Sequence, residues 1–515
     1  MVLKKSNLFK ISIAIVVLGL LSLLCAHSFV KYKIKQHLQE NLPQHLNINY
    51  NSISLNLLVG NVSLDKIVFK EFSTNNKAKT VVKADKIAVK NIGYIPLLFH
   101  NKISLGKLEI DNPELTYYTG LETHLKHKKE GALENIISIG EFKSTNGNII
   151  FLNDKEETVA SAEHIFITLK DVAFKTDKKE NNNPIKYSNG TITAQKLYSN
   201  LGKFEAFYAK SLVVKNELVM VHNLQLKTKY TKEELSKNII TERDFINLKI
   251  EELKLENTSF NYAKSTSILR IPLISIIEPN LEVYRDKLIA DDLSYKPMYS
   301  KMLRELPLKI SVDSVLIKQG QIAYQEKLEQ HIKPEKLSFN KVNASISNLN
   351  NDSNKRTIVR TNSLLMNKTP LALNWSFDIH KKSDSFTAWG SFTNLDIASI
   401  NPFLNTNLRV TAEGDMQRMY FTFSGTKQTA TGDLKIKYNN FKFKILKKDR
   451  LGVNKLLTKL GNLIIKEGSK SNPKNFRYGK IKVERDTTKS FFNYLWISIK
   501  GGLLDALTGK GIKEE

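Results

Sequence analysis

Hydrophobic and polar residues alternate one by one along much of the chain from about residue 47 onward. In one stretch Leu373, Trp375 and Phe377 alternate with Asn374 and Ser376. Successive side chains of a β-strand point to opposite faces of a sheet, so a period of two predicts strands with one apolar and one polar face. One solvated face is typical of antiparallel pairing, because parallel α/β sheets show continuous apolar runs. The pattern therefore predicts a long antiparallel sheet.

A second pattern recurs at irregular intervals around a polar or acidic reference residue. The reference residues are Asn112, Asn146, Asn257, Glu278 and Gln319. Apolar residues stand at positions −7, −4, −2, +3 and +5 relative to each of them, except that Ser144 replaces one of them before Asn146. We interpret each copy as a strand, a bend and a continuing strand on the same sheet face. This predicts repeated hairpins with loops of variable length.

Helical spacing is scarce in the middle of the chain and strong at its end. Short helices are predicted at Lys232–Asn238 and Tyr299–Leu306, and an amphipathic helix at Leu451–Lys466. Ile481 and Val483 then mark a last strand. The final amphipathic helix is predicted from five apolar residues at helical spacing: Phe492, Leu495, Trp496, Ile499 and Leu503. Because this helix combines aromatic residues with lysine, it either lies in a membrane interface or caps the sheet.

The N-terminus carries 20 residues without Lys, Arg, Asp or Glu, from Ile11 to Val30. At about 1.5 Å per residue this run spans a hydrocarbon core of roughly 30 Å, so we predict a transmembrane anchor. Its representative positions are Ile11, Val17, Leu20, Leu24 and Val30. The alternative is a cleaved signal peptide, since Ala26-His27-Ser28 provides small residues at a suitable spacing. Either interpretation predicts export.

Composition and charge exclude several classes of function. The net charge is +27, which attracts phosphate in nucleic acid or in lipid headgroups. Export and the lack of a nucleic-acid-binding motif argue against nucleic acid. The single cysteine lies in the apolar run and cannot form a disulfide or zinc site by itself. No hydrolase, zinc-protease, phosphate-loop or dinucleotide motif occurs. We therefore expect no catalytic residues, no metal, no cofactor and no enzyme.

Four segments carry a resemblance to a known family. They are the N-terminal apolar helix, a strand pattern from Ile87-Ala88-Val89 through Ile95-Pro96-Leu97-Leu98, the run from Leu105 through Pro113 to Leu115, and the tail from Ser490 to Trp496. Together they resemble the AsmA-like family of bacterial envelope proteins. The family is similar in build to repeating β-groove lipid-transfer proteins, in which a long curved sheet forms a trough with an apolar floor. The resemblance implies an elongated β-groove that holds lipid.

An apolar sheet face needs a cover, and the middle of this chain has few helices to supply one. Either two sheets close into a dry sandwich, or one sheet forms a trough for acyl chains. The lipid-groove candidates are the aromatic residues Trp375, Phe377, Trp389, Phe392, Phe421, Phe423, Phe441 and Phe443. An ordinary protein core would use the same alternation, so the pattern leaves both possibilities open.

The sequence thus predicts an all-β protein with helical ends, in four parts. They are a cytoplasmic stub with a transmembrane anchor (1–30), a juxtamembrane segment (31–46), an antiparallel β-groove body (47–446) and a helix–strand–helix cap (447–515). We expect a single-pass inner-membrane protein with its bulk in the periplasm. Its expected partner is phospholipid, whose acyl chains it binds or conducts in support of outer-membrane biogenesis. The alternative is an envelope scaffold, a closed β-sandwich with a protein partner.

Overall fold

The computed structural model describes residues 27–32, 36, 42–99, 102–122, 137–174, 185–261, 267–447 and 476–509. The chain divides into two compact units. Unit 1 comprises Met1–Leu201 and Tyr208–Asn216, and unit 2 comprises Gly202–Phe207 and Glu217–Glu515. The protein is mostly β, and its described strands belong to one mixed sheet of 24 strands. The prediction of a strand-rich body is therefore confirmed.

The strands of the two units have the following bounds. Unit 1 contains β1 (Leu46–Asn49), β2 (Ser52–Asn56), β3 (Asn61–Phe72), β4 (Ala78–Ile92), β5 (Ile103–Asp111), β6 (Glu114–Tyr118), β7 (Ile137–Leu152), β8 (Thr158–Phe174), β9 (Ile185–Lys186) and β10 (Asn189–Asn200). Strand β11 (Glu205–Lys215) contributes residues to both units. Unit 2 contains β12 (Leu218–Thr228), β13 (Asp244–Glu256), β14 (Ser259–Asn261), β15 (Ile268–Ile277), β16 (Asn280–Asp286), β17 (Lys309–Lys327), β18 (Leu337–Asn350), β19 (Thr357–Leu365), β20 (Thr369–Phe377), β21 (Phe386–Leu395), β22 (Val410–Gly425), β23 (Thr429–Ile445) and β24 (Arg477–Glu484).

The sheet is mixed, so the prediction of purely antiparallel pairing is wrong at two places. In unit 1, β5 and β6 pair antiparallel with β4 on one side and parallel with β7 on the other. In unit 2, β15 and β16 lie in the same way between β13 and β17. The parallel partners follow the connections 119–136 and 287–308, because parallel strands need a crossover of a dozen or more residues. Alternation could not reveal this, since side chains alternate in either strand direction.

All five reference residues of the sequence repeat lie at bends with left-handed backbone. Their φ angles are Asn112 48°, Asn146 52°, Asn257 55°, Glu278 49° and Gln319 56°. The pairing register shifts beside Asn146 in β7 and beside Gln319 in β17. Left-handed backbone is uncommon for residues other than glycine, although asparagine enters it more readily than most. The prediction of a strand, a bend and a continuing strand is confirmed at these positions.

The bends recur with the same local partners in each unit. In unit 1, Pro113 follows the bend between β5 and β6 and lies against Gly147 of β7, where an added Cβ would come within 3.1 Å of the proline ring. In unit 2, Pro279 lies against Gly320 of β17 at the same distance. Each glycine thus leaves room for the proline of the neighbouring broken strand. The irregular sequence repeat therefore corresponds to a repeated structural unit.

Within the described ranges from residue 42 onward, five helices connect or cover the strands. They are α1 (Tyr94–Phe99), α2 (Lys232–Asn238), α3 (Tyr299–Arg304), α4 (Ile397–Leu408) and α5 (Phe491–Thr508). Helices α2, α3 and α5 match predictions, and α2 begins with a capping box between Thr231 and Glu234. Residues 95–98 lie in helix α1, so their interpretation as part of a strand pattern is wrong; a short apolar run fits either element. The pattern also missed α4, in which Asp396 accepts a capping hydrogen bond from the backbone N–H of Ser399 and which contains Pro402. A proline inside a helix removes a backbone donor, so the sequence argued against a helix there.

Parts of the predicted ends lie outside the described residues. None of the helices in the described part of the chain is long and apolar enough to cross a membrane. Ile11, Val17, Leu20 and Leu24 fall outside the described residues, whereas Val30 belongs to the helical residues 27–32. The predicted helix Leu451–Lys466 also falls outside them. The predicted last strand is present as β24.

Candidate functional site

Unit 1 carries apolar side chains in register across its strands. One row runs across β3, β4, β5, β7 and β8 and consists of Val62, Val89, Leu108, Phe142 and Leu169. A second row consists of Leu64, Ile87, Ile110, Ser144, Ile167 and Ile192. A third, beyond the bends, consists of Phe69, Val82, Leu115, Ile149 and Ala162. These three rows are called the unit 1 apolar face.

The bends allow the rows on both sides of them to share one face. Phe142 and Ile149 are seven residues apart, and regular alternation would place side chains separated by an odd number on opposite faces. The left-handed residue Asn146 lies between them, at the point where the register shifts. An extra residue of this kind offsets the alternation by one. The bend thus extends the apolar surface along the strand.

A chain of polar side chains follows the bends across unit 1. Lys66 pairs with Asp85 at 2.6 Å, and the Asn112 side-chain amide donates to Asp85 at 2.7 Å. The Asn146 amide then donates to the Asn112 oxygen at 3.0 Å, and the His164 Nδ1 lies 2.9 Å from the Asn146 oxygen. Hydrogen bonding to Lys66 and to Asn112 holds the pKa of Asp85 below its usual range. These contacts join the neighbouring bends and hold the apolar rows in register.

The opposite face of the same strands is charged. Rows of Ala88, Glu109, Lys143, Thr168 and Thr191, and of Lys90, Lys107, Glu141 and Lys170, alternate with the apolar rows. Glu109 accepts ion pairs from Lys90 at 2.5 Å and from Lys107 at 2.7 Å. Hydrogen bonds from these two lysines lower the pKa of Glu109 to about 2. The charges of this face pair with one another, and the two faces of unit 1 differ sharply in polarity.

The side chains of the unit 1 apolar face are partly exposed, with few exceptions. Phe142, Leu108 and Leu169 each retain accessible surface, whereas Ser144 is buried. Both clusters of buried hydrophobic residues found in the described part of the chain lie in unit 2. Contiguous apolar surface in water is unfavourable and commonly marks a binding surface. The candidate site is therefore the unit 1 apolar face.

Four of the predicted lipid-groove residues are buried in unit 2. Phe377 and Phe392 belong to the larger hydrophobic cluster, and Phe421 and Phe423 are only 3% and 1% exposed. Trp375, Phe441 and Phe443 are partly buried and pack against the same cluster. Trp389 is partly exposed on the other face of the sheet, in register with Asn374 and Thr422. The structure thus brings seven of the eight residues to one cluster and leaves Trp389 apart.

Helix α5 covers this cluster. The ring of Phe386 in β21 lies 5.1 Å from that of Phe491 and 5.5 Å from that of Tyr494 on the helix. Gly479 of β24 meets Gly502 so closely that an added Cβ would lie 2.2 Å from the Gly502 carbonyl oxygen. Protein therefore occupies the apolar side of β21–β24, which is called the covered face. It consists of Phe386, Ala388, Phe421, Phe423, Leu434, Ile436 and Ile481.

The five predicted residues of the last helix divide between its inner and outer sides. Leu495 is buried against the sheet, whereas Phe492 and Trp496 are exposed. Ile499 and Leu503 are partly buried beside the cluster. The spacing of Phe492, Trp496, Ile499 and Leu503 places these four on one side of the helix. The helix therefore combines a buried cap with a second apolar stripe.

An ion cluster ties the start of α5 to the sheet. Glu242 lies 2.6 Å from Lys287, 3.0 Å from Lys489 and 3.8 Å from Arg285. Burial acts to raise the pKa of Glu242, but the hydrogen bonds from Lys287 and Lys489 outweigh it and hold the pKa below its usual range. Arg285 also pairs with Asp244 through two hydrogen bonds. Because each charge has a partner, we interpret the cluster as structural: it stabilises the position of the start of α5.

Within the described part of the chain, no group of three His, Cys, Asp or Glu side chains could hold a metal ion. The alternation of apolar and polar residues indicated a candidate site in 375–443 and did not indicate the residues of unit 1. A usable signal was present, because Leu108, Ile110 and Leu115 occupy repeat positions around Asn112 and Phe142 one around Asn146.

Comparison with known proteins does not assign the chain to a family. A scan against models of protein families finds no match, and a search of curated protein sequences finds none either. The functional conclusion therefore depends on the geometry of the two faces.

Proposed function

We propose that this chain binds the acyl chains of phospholipids on the unit 1 apolar face. The observation that carries the proposal is that the apolar rows of unit 1 are in register yet partly exposed, whereas the opposite face is charged. Each methylene that leaves water contributes about 0.8 kcal/mol, so a bound acyl chain stabilises such a face. No chemical step is part of the proposal.

The dimensions of the face suit a hydrocarbon chain. Strands lie about 4.8 Å apart, so the rows across β3, β4, β5, β7, β8 and β10 extend over roughly 24 Å. One leaflet of a bilayer contributes about half of a hydrocarbon core of roughly 30 Å. A single acyl chain can therefore lie across the strands with all of its length on apolar side chains.

The location that we propose is the periplasmic side of a bacterial inner membrane. The apolar run from Ile11 to Val30 supports an anchor, and the resemblance to AsmA-like proteins supports an envelope role in outer-membrane biogenesis. Fractionation of cells should recover the chain with the inner membrane, and protease should digest it in spheroplasts but not in intact cells. Recovery in the cytosol would contradict this location.

The lipid proposal is tested by mass spectrometry of lipids that co-purify with the full chain. Leu169 and Thr168 are neighbours on β8, and their side chains belong to the apolar and the polar rows respectively. Leu169→Glu should reduce the bound lipid several-fold, because a carboxylate on the apolar face is costly to cover with hydrocarbon. Thr168→Glu adds the same charge to the polar face and should leave the lipid load unchanged. A lipid-free wild-type protein, or equal loads in both variants, would refute the proposal.

A scaffold role remains the second candidate, and the covered face favours it. The apolar side of β21–β24 is filled by α5, as expected for a closed structural domain. Residues of the sheet and of helices α3, α4 and α5 form this core. In a pure scaffold the unit 1 apolar face would bind a protein, so affinity-purified full chain would carry a stoichiometric protein partner and no lipid.

A further inference from the structure

Two helices of unit 2 expose large apolar side chains next to each other. On α3 and the residues just after it, Tyr299, Met302 and Leu306 are 38%, 51% and 41% exposed. On α5, Phe492 and Trp496 are 53% and 48% exposed. The rings of Tyr299 and Phe492 are 6.3 Å apart, which joins the two helices. These five residues are called the α3–α5 patch.

The patch does not belong to the hydrophobic core beneath it. The inward side of α5 already packs on the sheet through Phe491, Leu495 and Ala506. Phe492 touches the core at one edge, where its ring lies 6.2 Å from that of Trp375. Its remaining surface and that of Trp496 face away from the sheet. Exposed aromatic residues in this number are unusual on a helix that needs no further partner.

Positive charge accompanies the patch, although most basic residues of 295–308 and 477–500 already have partners in the protein. Lys489 pairs with Glu242, Arg304 pairs with Asp384, and Arg477 donates to the Ala506 carbonyl oxygen. Lys500 is exposed on α5 itself, one turn beyond Trp496. The whole chain carries +27, so an anionic surface attracts it over distances of about 10 Å or less at moderate salt.

We propose that the α3–α5 patch docks on the surface of a membrane that contains anionic lipid. Trp, Tyr and Phe side chains favour the level of the headgroups, where their rings are buried and their polar atoms stay hydrated. Lys500 beside the patch contacts anionic headgroups and keeps its stem on the apolar side. The patch is separate from the unit 1 apolar face, so docking does not depend on the proposed lipid binding there.

Vesicle tethering tests the docking. The full chain is reconstituted into donor vesicles, and the capture of dye-labelled acceptor vesicles is measured. Acceptors that contain phosphatidylglycerol should be captured, and acceptors of pure phosphatidylcholine should be captured about tenfold less. Raising the salt concentration should weaken capture, because the attraction of the lysines is screened. Equal capture of both acceptors would overturn the proposal of an anionic surface.

Variants on a single helix provide the control. The double variant Phe492→Ser with Trp496→Ser should lose most of the capture. Leu504 is 51% exposed on the same helix, but helical spacing places it about 80° around the helix axis from Trp496 and further from Phe492. Leu504→Ser should therefore retain capture. Lys500→Glu reverses a charge at an exposed position, so it should leave the fold intact and lower capture of the anionic acceptors. The docking proposal fails if the double variant and Lys500→Glu both capture like the wild type. It also fails if the patch binds a soluble protein and the chain captures no acceptor vesicles.

Discussion

The unit 1 apolar face and the covered face use the same strand pattern and differ in what lies over them. Phe142 in β7 and Phe423 in β22 both belong to apolar rows, yet the first is partly exposed and the second is only 1% exposed. The difference comes from α5, an 18-residue helix whose small residues Gly502 and Ala506 allow close approach to β24. An apolar strand face becomes a core only when another element of the chain covers it.

The largest expected difference concerns truncation of one phenylalanine on each face. Phe423→Ala should lower the free energy of unfolding by about 3–5 kcal/mol, because it leaves a cavity in a packed core. Phe142→Ala should lower it by about 1 kcal/mol, because part of the ring is already in water. All three tryptophans lie in unit 2, so denaturation followed by tryptophan fluorescence reports on Phe423→Ala. Far-ultraviolet circular dichroism reports on Phe142→Ala. Equal losses would mean that both faces are closed cores.

A smaller effect is expected from a change that loosens the packing of α5 on the covered face. Gly502→Val should destabilise α5 by about 1–3 kcal/mol, since an added Cβ would lie 2.6 Å from the Ile481 side chain. The covered face should then bind a hydrophobic dye. Gly501→Val is the matched control, because it changes the helix propensity in the same way and its Cβ would meet only Val483, at 3.2 Å. Equal dye binding by the two variants would show that close packing at Gly502 does not keep α5 on the covered face.

The smallest effect concerns the charged face of unit 1. The pKa of Glu109 is lowered to about 2 in the folded chain from an ordinary value of 4.5. The ion pairs with Lys90 and Lys107 therefore stabilise unit 1 above pH 4.5, and this stabilisation is lost as the pH falls towards 2. Because the pairs are partly exposed, they contribute about 0.5–1 kcal/mol.

Glu109→Gln should flatten that part of the pH dependence, as measured by circular dichroism melting curves above pH 4.5 and near pH 2. The control is Glu156→Gln, which changes an exposed residue in the turn between β7 and β8. If both variants kept the wild-type pH dependence, the ion pairs of the charged face would not stabilise unit 1.

The sequence predicted the local structure of the sheet well, and for a clear reason. Alternation of apolar and polar residues reports which side chains share a face, and the repeat around Asn112 and Gln319 reports where a strand bends. Both are local properties that a few neighbouring residues encode. The parallel pairing of β5 with β7 escaped prediction because strand direction depends on the path of a connection of variable length. Helix α4 escaped prediction; it contains Pro402, a residue type that disfavours the interior of a helix.

The sequence by itself determined that this chain forms a β-rich body, in which each strand has one apolar face, and an amphipathic helix near its C-terminus. Only the tertiary structure decided that this helix lies over β23 and β24, so that Phe421 and Phe423 became core while Leu108 and Phe142 stayed partly in water. The physical reason is that strand alternation records the polarity of a face, whereas its cover depends on contacts between distant segments. For this reason the candidate site lies in unit 1, and not in the aromatic stretch that the pattern indicated first.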